Sequence, residues 1–198
     1  FRHHVFRVPL LIAVALLIAF GGGIGVTLSA LNASAGFGAI RLGVWSAFPD
    51  AQTAGADPYA KSHRAKAGRL LLGSAEGLTF TASTDESGQQ LTGNCSYRII
   101  GRTPTARLWT LYAANADGQP LATRADLPFA HNSQDILRQR DGAFEITVSP
   151  TAKPMNWLAL PDAGAFSLVL TLLDTPAAGS SGLIGLEMPK VEPLGCGQ

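Results

Sequence analysis

The sequence predicts a mainly β fold: an antiparallel β-sandwich or jelly-roll-like domain with one short helix, carried behind a single N-terminal transmembrane α-helix. Three observations predict it. Residues 8–40 contain no Asp, Glu, Lys or Arg. Beyond residue 77 apolar side chains recur at every second position, and Gly, Pro and Asp turns divide the runs. The chain has 198 residues and only 15% of them are charged, against about 25% in ordinary soluble proteins. Four segments follow: a tail over 1–7, the membrane span over 8–32, a juxtamembrane connector over 33–56 and the β-domain over 57–198.

The span reads from Val8 through Phe20 and on past the glycines to Leu31, longer than the roughly 20 apolar residues a helix needs to cross a bilayer. Arg2 and Arg7 precede it, so the positive-inside bias holds the N-terminus in the cytoplasm and sends the rest across the membrane. Ala33-Ser34-Ala35 offers the rival reading of a signal-peptide cleavage site, but the apolar run exceeds the usual 7–15-residue core of a signal peptide. Gly21, Gly22 and Gly25 lie within about one turn. The Gly21-xxx-Gly25 spacing is one that lets two membrane helices approach closely, which marks these glycines as a helix–helix interface; ordinary glycine use in membrane helices is the competing reading. Trp45 and Phe48 close the connector and read as membrane-interface anchors, with burial in the domain core as the equal alternative.

Asp57-Pro58 supplies a capping residue and an N1 proline, and Gly68 a stop, so a short basic helix is expected over 58–67. The strands follow. Leu78–Ala82, Cys95–Ile100, Arg107–Tyr112, Ala143–Ser149 and Phe166–Leu173 carry strand patterns, with Asp117-Gly118 and Asp141-Gly142 as hairpin-type turns. Beyond Arg41 the chain holds twelve Lys and Arg against fourteen acids, a net of −2. Such a domain lacks the basic footprint of a nucleic-acid binder. The two cysteines, Cys95 and Cys196, form no metal motif. In an oxidising compartment across the membrane they are expected to pair; two buried free thiols are the other reading.

The succession Trp45-Ser46-Ala47-Phe48-Pro49-Asp50, Ala56-Asp57-Pro58-Tyr59, Gly73-Ser74-Ala75-Glu76-Gly77-Leu78, Cys95-Ser96-Tyr97-Arg98, Arg107-Leu108-Trp109-Thr110-Leu111, Asp141-Gly142 and Asn156-Trp157-Leu158 resembles the bacterial family known as domain of unknown function twelve-fourteen, in its short membrane-anchored form. The resemblance covers about residues 40–198. It implies a β-rich fold and a location at the bacterial inner membrane, the β-domain in the periplasm. As a partner it implies a small membrane protein carrying domain of unknown function twelve fifty-four. It brings no established catalytic residues. Relatives usually have Arg and Tyr in the last strand, where this chain has Thr171 and Leu173.

No nucleophile elbow, metalloprotease helix or P-loop is present in the sequence. The strongest local candidates for chemistry are His131 with Asp135, as an imidazole–carboxylate pair, and Asn156 with Trp157, as an amide and a stacking ring for a glycan or small molecule. Turn formation by the polar residues and burial of the tryptophan compete with both. The expected function is therefore non-enzymatic: an accessory or assembly subunit that docks on an integral membrane partner and contacts lipid, with no metal and no cofactor. A periplasmic glycan- or small-molecule-binding domain is the alternative.

Overall fold

The computed structural model describes residues 7–33, 39–49, 72–73, 76–124, 126–161, 164–178 and 186–197, with Thr53, Ala56, Pro58, Lys61, Ser62 and Ala65 as isolated positions. The helix and the β-domain are separate compact units and are described in turn.

The helix begins as α1 (Arg7–Leu17), passes through a π-helical turn (Ile18–Gly22) and continues as α2 (Gly23–Ala33). Its stretch Arg7–Ala30 is 24 residues long and apolar enough to cross a membrane, and none of it is buried within the protein. The π turn falls where Gly21, Gly22 and Gly23 weaken the ordinary helical hydrogen-bond ladder. The Thr27 hydroxyl donates to the Gly23 carbonyl at 2.8 Å, so the helix satisfies its own polar side chain.

The β-domain is a sandwich of two sheets. One has six strands in the order β1-β2-β3-β9-β5-β6 and the other four in the order β10-β4-β7-β8. The strands are β1 (Ile40–Leu42), β2 (Trp45–Ala47), β3 (Gly77–Ala82), β4 (Cys95–Gly101), β5 (Leu108–Ala114), β6 (Ala130–Asn132), β7 (Phe144–Ser149), β8 (Trp157–Ala159), β9 (Ser167–Leu173) and β10 (Lys190–Cys196). All ladders are antiparallel except β7–β8, which is parallel. That pair departs from the expected pattern because Trp157–Ala159 returns to β7 by a crossing loop rather than a hairpin.

Period-two burial builds the core. Leu78, Phe80 and Ala82 of β3, Trp109 and Leu111 of β5, and Leu168, Leu170 and Leu172 of β9 face Tyr97 and Ile99 of β4 and Phe144, Ile146 and Val148 of β7. Gly77 lets β9 come close: a Cβ there would collide with the Leu172 carbonyl oxygen. On the outer face of the larger sheet Thr79 and Thr171 share a hydrogen bond of 3.2 Å between their hydroxyls. Thr171 and Leu173 both belong to that face, paired with Thr110 and Leu108 of β5.

Two findings revise the sequence reading of the connector. Residues 40–47 are not a linker but supply β1 and β2 to the larger sheet. Trp45 is 1% exposed, and its indole N–H donates to the Pro189 carbonyl at 2.7 Å. A ring that size gains more by filling the core than by lying at a headgroup. Phe48, one strand-end away, is 41% exposed. Most of the helix expected over 58–67 lies outside the described residues; Pro58, Lys61, Ser62 and Ala65 are helical.

Three turns repeat one local design. Gly88, Gly118 and Gly142 have φ of 82°, 73° and 83°, a region glycine enters without a Cβ clash. Each donates its N–H to the carbonyl three residues back, on Asp85, Asn115 and Gln139. In the first two the leading side chain also accepts: Asp85 Oδ1 from the N–H of Ser87 and Gln89, Asn115 Oδ1 from those of Asp117 and Gln119. Asp85 is 3% exposed, and these bonds explain its burial.

Cys95 and Cys196 form a disulfide across directly paired positions of β4 and β10. At the outer edge of β10 the Val191 carbonyl accepts from the Glu86 N–H at 2.9 Å, and the Val191 N–H donates to Glu86 Oε1 at 3.4 Å. Pro193 then removes a donor, and the register shifts between Pro193 and Gly195.

Candidate functional site

The residues singled out for chemistry converge at one end of the sandwich, where β6 and β8 are the outer strands of the two sheets. His131 sits on β6 opposite Leu111, so its ring is directed to the sandwich interior, and its side chain is 11% exposed. Its Nε2 lies 2.8 Å from the Trp157 carbonyl oxygen on β8. A carbonyl can only accept, so Nε2 carries the proton and donates. Asp135 Oδ1 lies 3.5 Å from Nδ1 and accepts the Asn132 N–H at 2.9 Å, while Oδ2 accepts from the Asn132 side-chain amide at 2.9 Å. The expected imidazole–carboxylate pair is therefore present. One ring nitrogen is committed to a backbone carbonyl and the other faces a carboxylate already holding a turn. The arrangement clasps one sheet to the other.

Asn156 is 6% exposed. Its Oδ1 accepts the Leu137 N–H at 2.7 Å, and its Nδ2 donates to the Leu137 and Glu145 carbonyls at 2.8 Å each. Both amide protons and the oxygen are engaged by backbone. The Trp157 indole N–H donates to the Ser149 carbonyl at 3.0 Å. The pair proposed as an amide and a stacking ring is thus built into the junction of β7, β8 and the loop before β7.

Met155, directly before Asn156, has φ 66°, a conformation that costs a non-glycine residue about 1–2 kcal/mol. Met155 is 77% exposed and projects beside Leu137 and Leu194, themselves 56% and 50% exposed. The three apolar side chains line one groove of about 440 Å³ whose other walls include Arg138, Glu145, Thr147, Lys153 and Pro154. The sequence reading missed this groove. Its signal was faint: Leu137 and Leu194 lie 57 positions apart, and only the turn at Pro154-Met155 hinted at an exposed knuckle. Beneath its rim the Arg138 guanidinium lies 5.8 Å from the ring centres of Trp109 and Phe144 and donates to the Gly142 and Ser133 carbonyls. The indole N–H of Trp109, in the core below, has no hydrogen-bond partner among the described residues.

On the helix, a Cβ added at Gly21, Gly22, Gly23 or Gly25 would meet nothing within 4 Å. A shallow furrow there is lined by Ala19, Gly23 and Thr27, flanked by Phe20, Ile24 and Leu28. Among the described residues no group of three His, Cys, Asp or Glu side chains is placed to hold a metal ion. Among the described residues four arginine–carboxylate pairs stand at the surface of the sandwich: Arg98 with Glu192 at 2.7 Å, Arg102 with Asp141 at 3.0 Å, Arg107 with Asp174 at 3.9 Å and Arg124 with Asp126 at 2.6 Å. The hydrogen bonds that Arg98 donates to the Glu192 carboxylate hold its guanidinium more firmly protonated than usual. The Ala143 N–H, first, and then the Arg102 charge hold the Asp141 carboxyl below the ordinary aspartate range.

Fold and geometry together define a two-sheet β-sandwich domain preceded by one apolar helix, with the buried Asp85, Ser149 and Asn156 side chains each bonded to the domain's own backbone. The chain belongs to the family described as Protein of unknown function (DUF1214), which matches residues 76–177. That span runs from the start of β3 to the 3-10 turn Pro176–Ala178, leaving β1, β2 and β10 outside it. No curated protein matches the chain in sequence. Among solved structures the VPA0106 protein of Vibrio parahaemolyticus is similar, with a TM-score of 0.57 and 19% identity over 69% of this chain and 35% of that one. An uncharacterised protein of Burkholderia cenocepacia aligns with a TM-score of 0.40 and 18% identity, over 60% of this chain and 29% of that one. The first likeness supports the fold alone, and this chain spans about a third of that protein's length.

Proposed function

We propose that this chain is a non-catalytic accessory or assembly subunit of a bacterial envelope membrane-protein complex. The helix anchors it in the inner membrane with its N-terminus in the cytoplasm, and the β-sandwich acts from the periplasm. The observation that carries the reading is the helix. Its 24-residue, predominantly apolar stretch is not buried within the protein, and its glycines leave one flank open to a close neighbour. Supporting it, the polar groups most suited to chemistry, His131, Asp135 and Asn156, are consumed by internal bonds. The partner is an integral membrane protein, and a small one carrying domain of unknown function twelve fifty-four is the expected candidate. The helix docks in the bilayer while the sandwich caps the partner outside it.

The test is mild detergent extraction of the C-terminally tagged full chain from its native membrane, with mass spectrometry of what co-migrates. A stoichiometric membrane protein, lost when Gly21, Gly23 and Gly25 are changed to Leu, is the expected result. Recovery of the chain alone under the mildest conditions refutes the reading.

A further inference from the structure

We infer that the groove bordered by Leu137, Met155 and Leu194 is a second membrane contact, by which the β-sandwich rests on an anionic lipid surface. Two independent observations point to it. The first is apolar exposure: three of the sandwich's five exposed large hydrophobics, at 56%, 77% and 50%, meet at this one place. Met155 stands at a left-handed φ of 66°, directly before Asn156, whose side-chain amide makes three hydrogen bonds to backbone.

The second is charge. Arg138 and Lys153 line the groove, and Arg140 adjoins the lining residue Gln139. None of the three has a carboxylate partner among the described residues. Among the described residues Glu145 is the one acid in the lining, and its charge also acts on Arg98. In a domain whose overall charge is slightly negative, this face is locally basic. Apolar side chains that can enter the acyl boundary, ringed by Arg and Lys that meet phosphate, form the pattern of an interfacial lipid contact.

The occupant follows from the chain itself. A domain joined to a membrane-spanning helix has a bilayer beside it at all times, so even a weak lipid patch is occupied through its high effective concentration. The inference rests on the anchor reading given under Proposed function. It adds that the sandwich meets anionic lipid by its Met155 side.

The chain contains two methionines, which makes oxidation a clean probe. Met155 is exposed, whereas Met188 packs against the core. The full chain is reconstituted into vesicles of phosphatidylcholine alone and of phosphatidylcholine with phosphatidylglycerol. Each is treated with hydroxyl radicals, and the oxidation of both residues is read by mass spectrometry. The expected result is oxidation of Met155 about fivefold slower on the anionic vesicles, as one surface cation is worth about that factor, with Met188 unchanged. Lys153→Glu combined with Arg140→Glu restores the faster rate. Equal rates on both vesicles, with the chain still resistant to alkaline extraction, overturn the lipid contact and leave the anchor standing. Loss of the chain on alkaline extraction overturns both. Protection that appears only when native membrane proteins are added assigns the groove to a protein partner and also overturns the inference.

Discussion

Asn156 is the position where the geometry makes its sharpest claim. Asn156→Ala removes three hydrogen bonds of 2.7–2.8 Å at a site 6% exposed. It orphans the Leu137 N–H and leaves two carbonyls without that donor. A buried hydrogen bond contributes about 1 kcal/mol net, so the expected loss is about 3 kcal/mol, and more if the freed groups stay dry. For a chain of this size each kcal/mol lowers the melting temperature by about 2–4 °C, giving a fall of about 6–12 °C. Asn156→Asp should be worse than Ala, because it turns a carboxylate oxygen toward the Leu137 and Glu145 carbonyls. The assay is thermal unfolding of the detergent-solubilised full chain, followed by near-ultraviolet circular dichroism. If both variants stay within about 1 kcal/mol of the parent, the bonds are replaceable by water, and the amide returns as a candidate for binding a ligand.

Removing the disulfide by Cys95→Ser with Cys196→Ser frees a loop of sequence separation 101; loop-closure entropy sets the cost at about 4.7 kcal/mol, read as a lower guanidinium midpoint, and a shift below about 1 kcal/mol would contradict the bridge. Gly77→Ala pushes a methyl into the Leu172 carbonyl and is expected to cost about 3 kcal/mol, whereas Gly142→Ala, where space is open but φ is 83°, should cost about 1 kcal/mol; the same unfolding assay separates them. Asp141 should titrate below an unfolded aspartate in a carbon-detected NMR titration. Its contribution to stability is then complete above the unfolded pKa and disappears as the pH falls through the lower folded value, and Ala143→Pro, which removes the first-named N–H, should raise the folded value.

The sandwich was legible where β3, β4, β5 and β7 largely alternate inward and outward positions, and two turns because Asp117 and Asp141 each stand directly before a glycine of positive φ; the short β1, β2, β6 and β8, and β10 with its proline and glycine, carry no such period. The pairing of Cys95 with Cys196 followed from compartment chemistry alone. Trp45 was ambiguous for a physical reason: an amphipathic ring beside a membrane span suits a headgroup layer and a core equally, and only the Pro189 carbonyl, 144 residues away, decides between them. His131 and Asp135 announced themselves by spacing, but the Trp157 carbonyl that turns the histidine into a clasp is 26 positions further on. The groove at Met155 was hidden because its walls come from four segments that share no local pattern.

The closed margin of β10 governs how neighbouring copies behave. An unprotected outer strand offers a row of donors and acceptors onto which another molecule's strand can zip, the first step toward fibrous aggregates. Here Glu86 occupies both backbone groups of Val191, Pro193 has no N–H to give, and the register break beyond it bends the remaining residues. Copies of this β-rich domain at high local concentration can collide along that margin and part again without fusing their sheets.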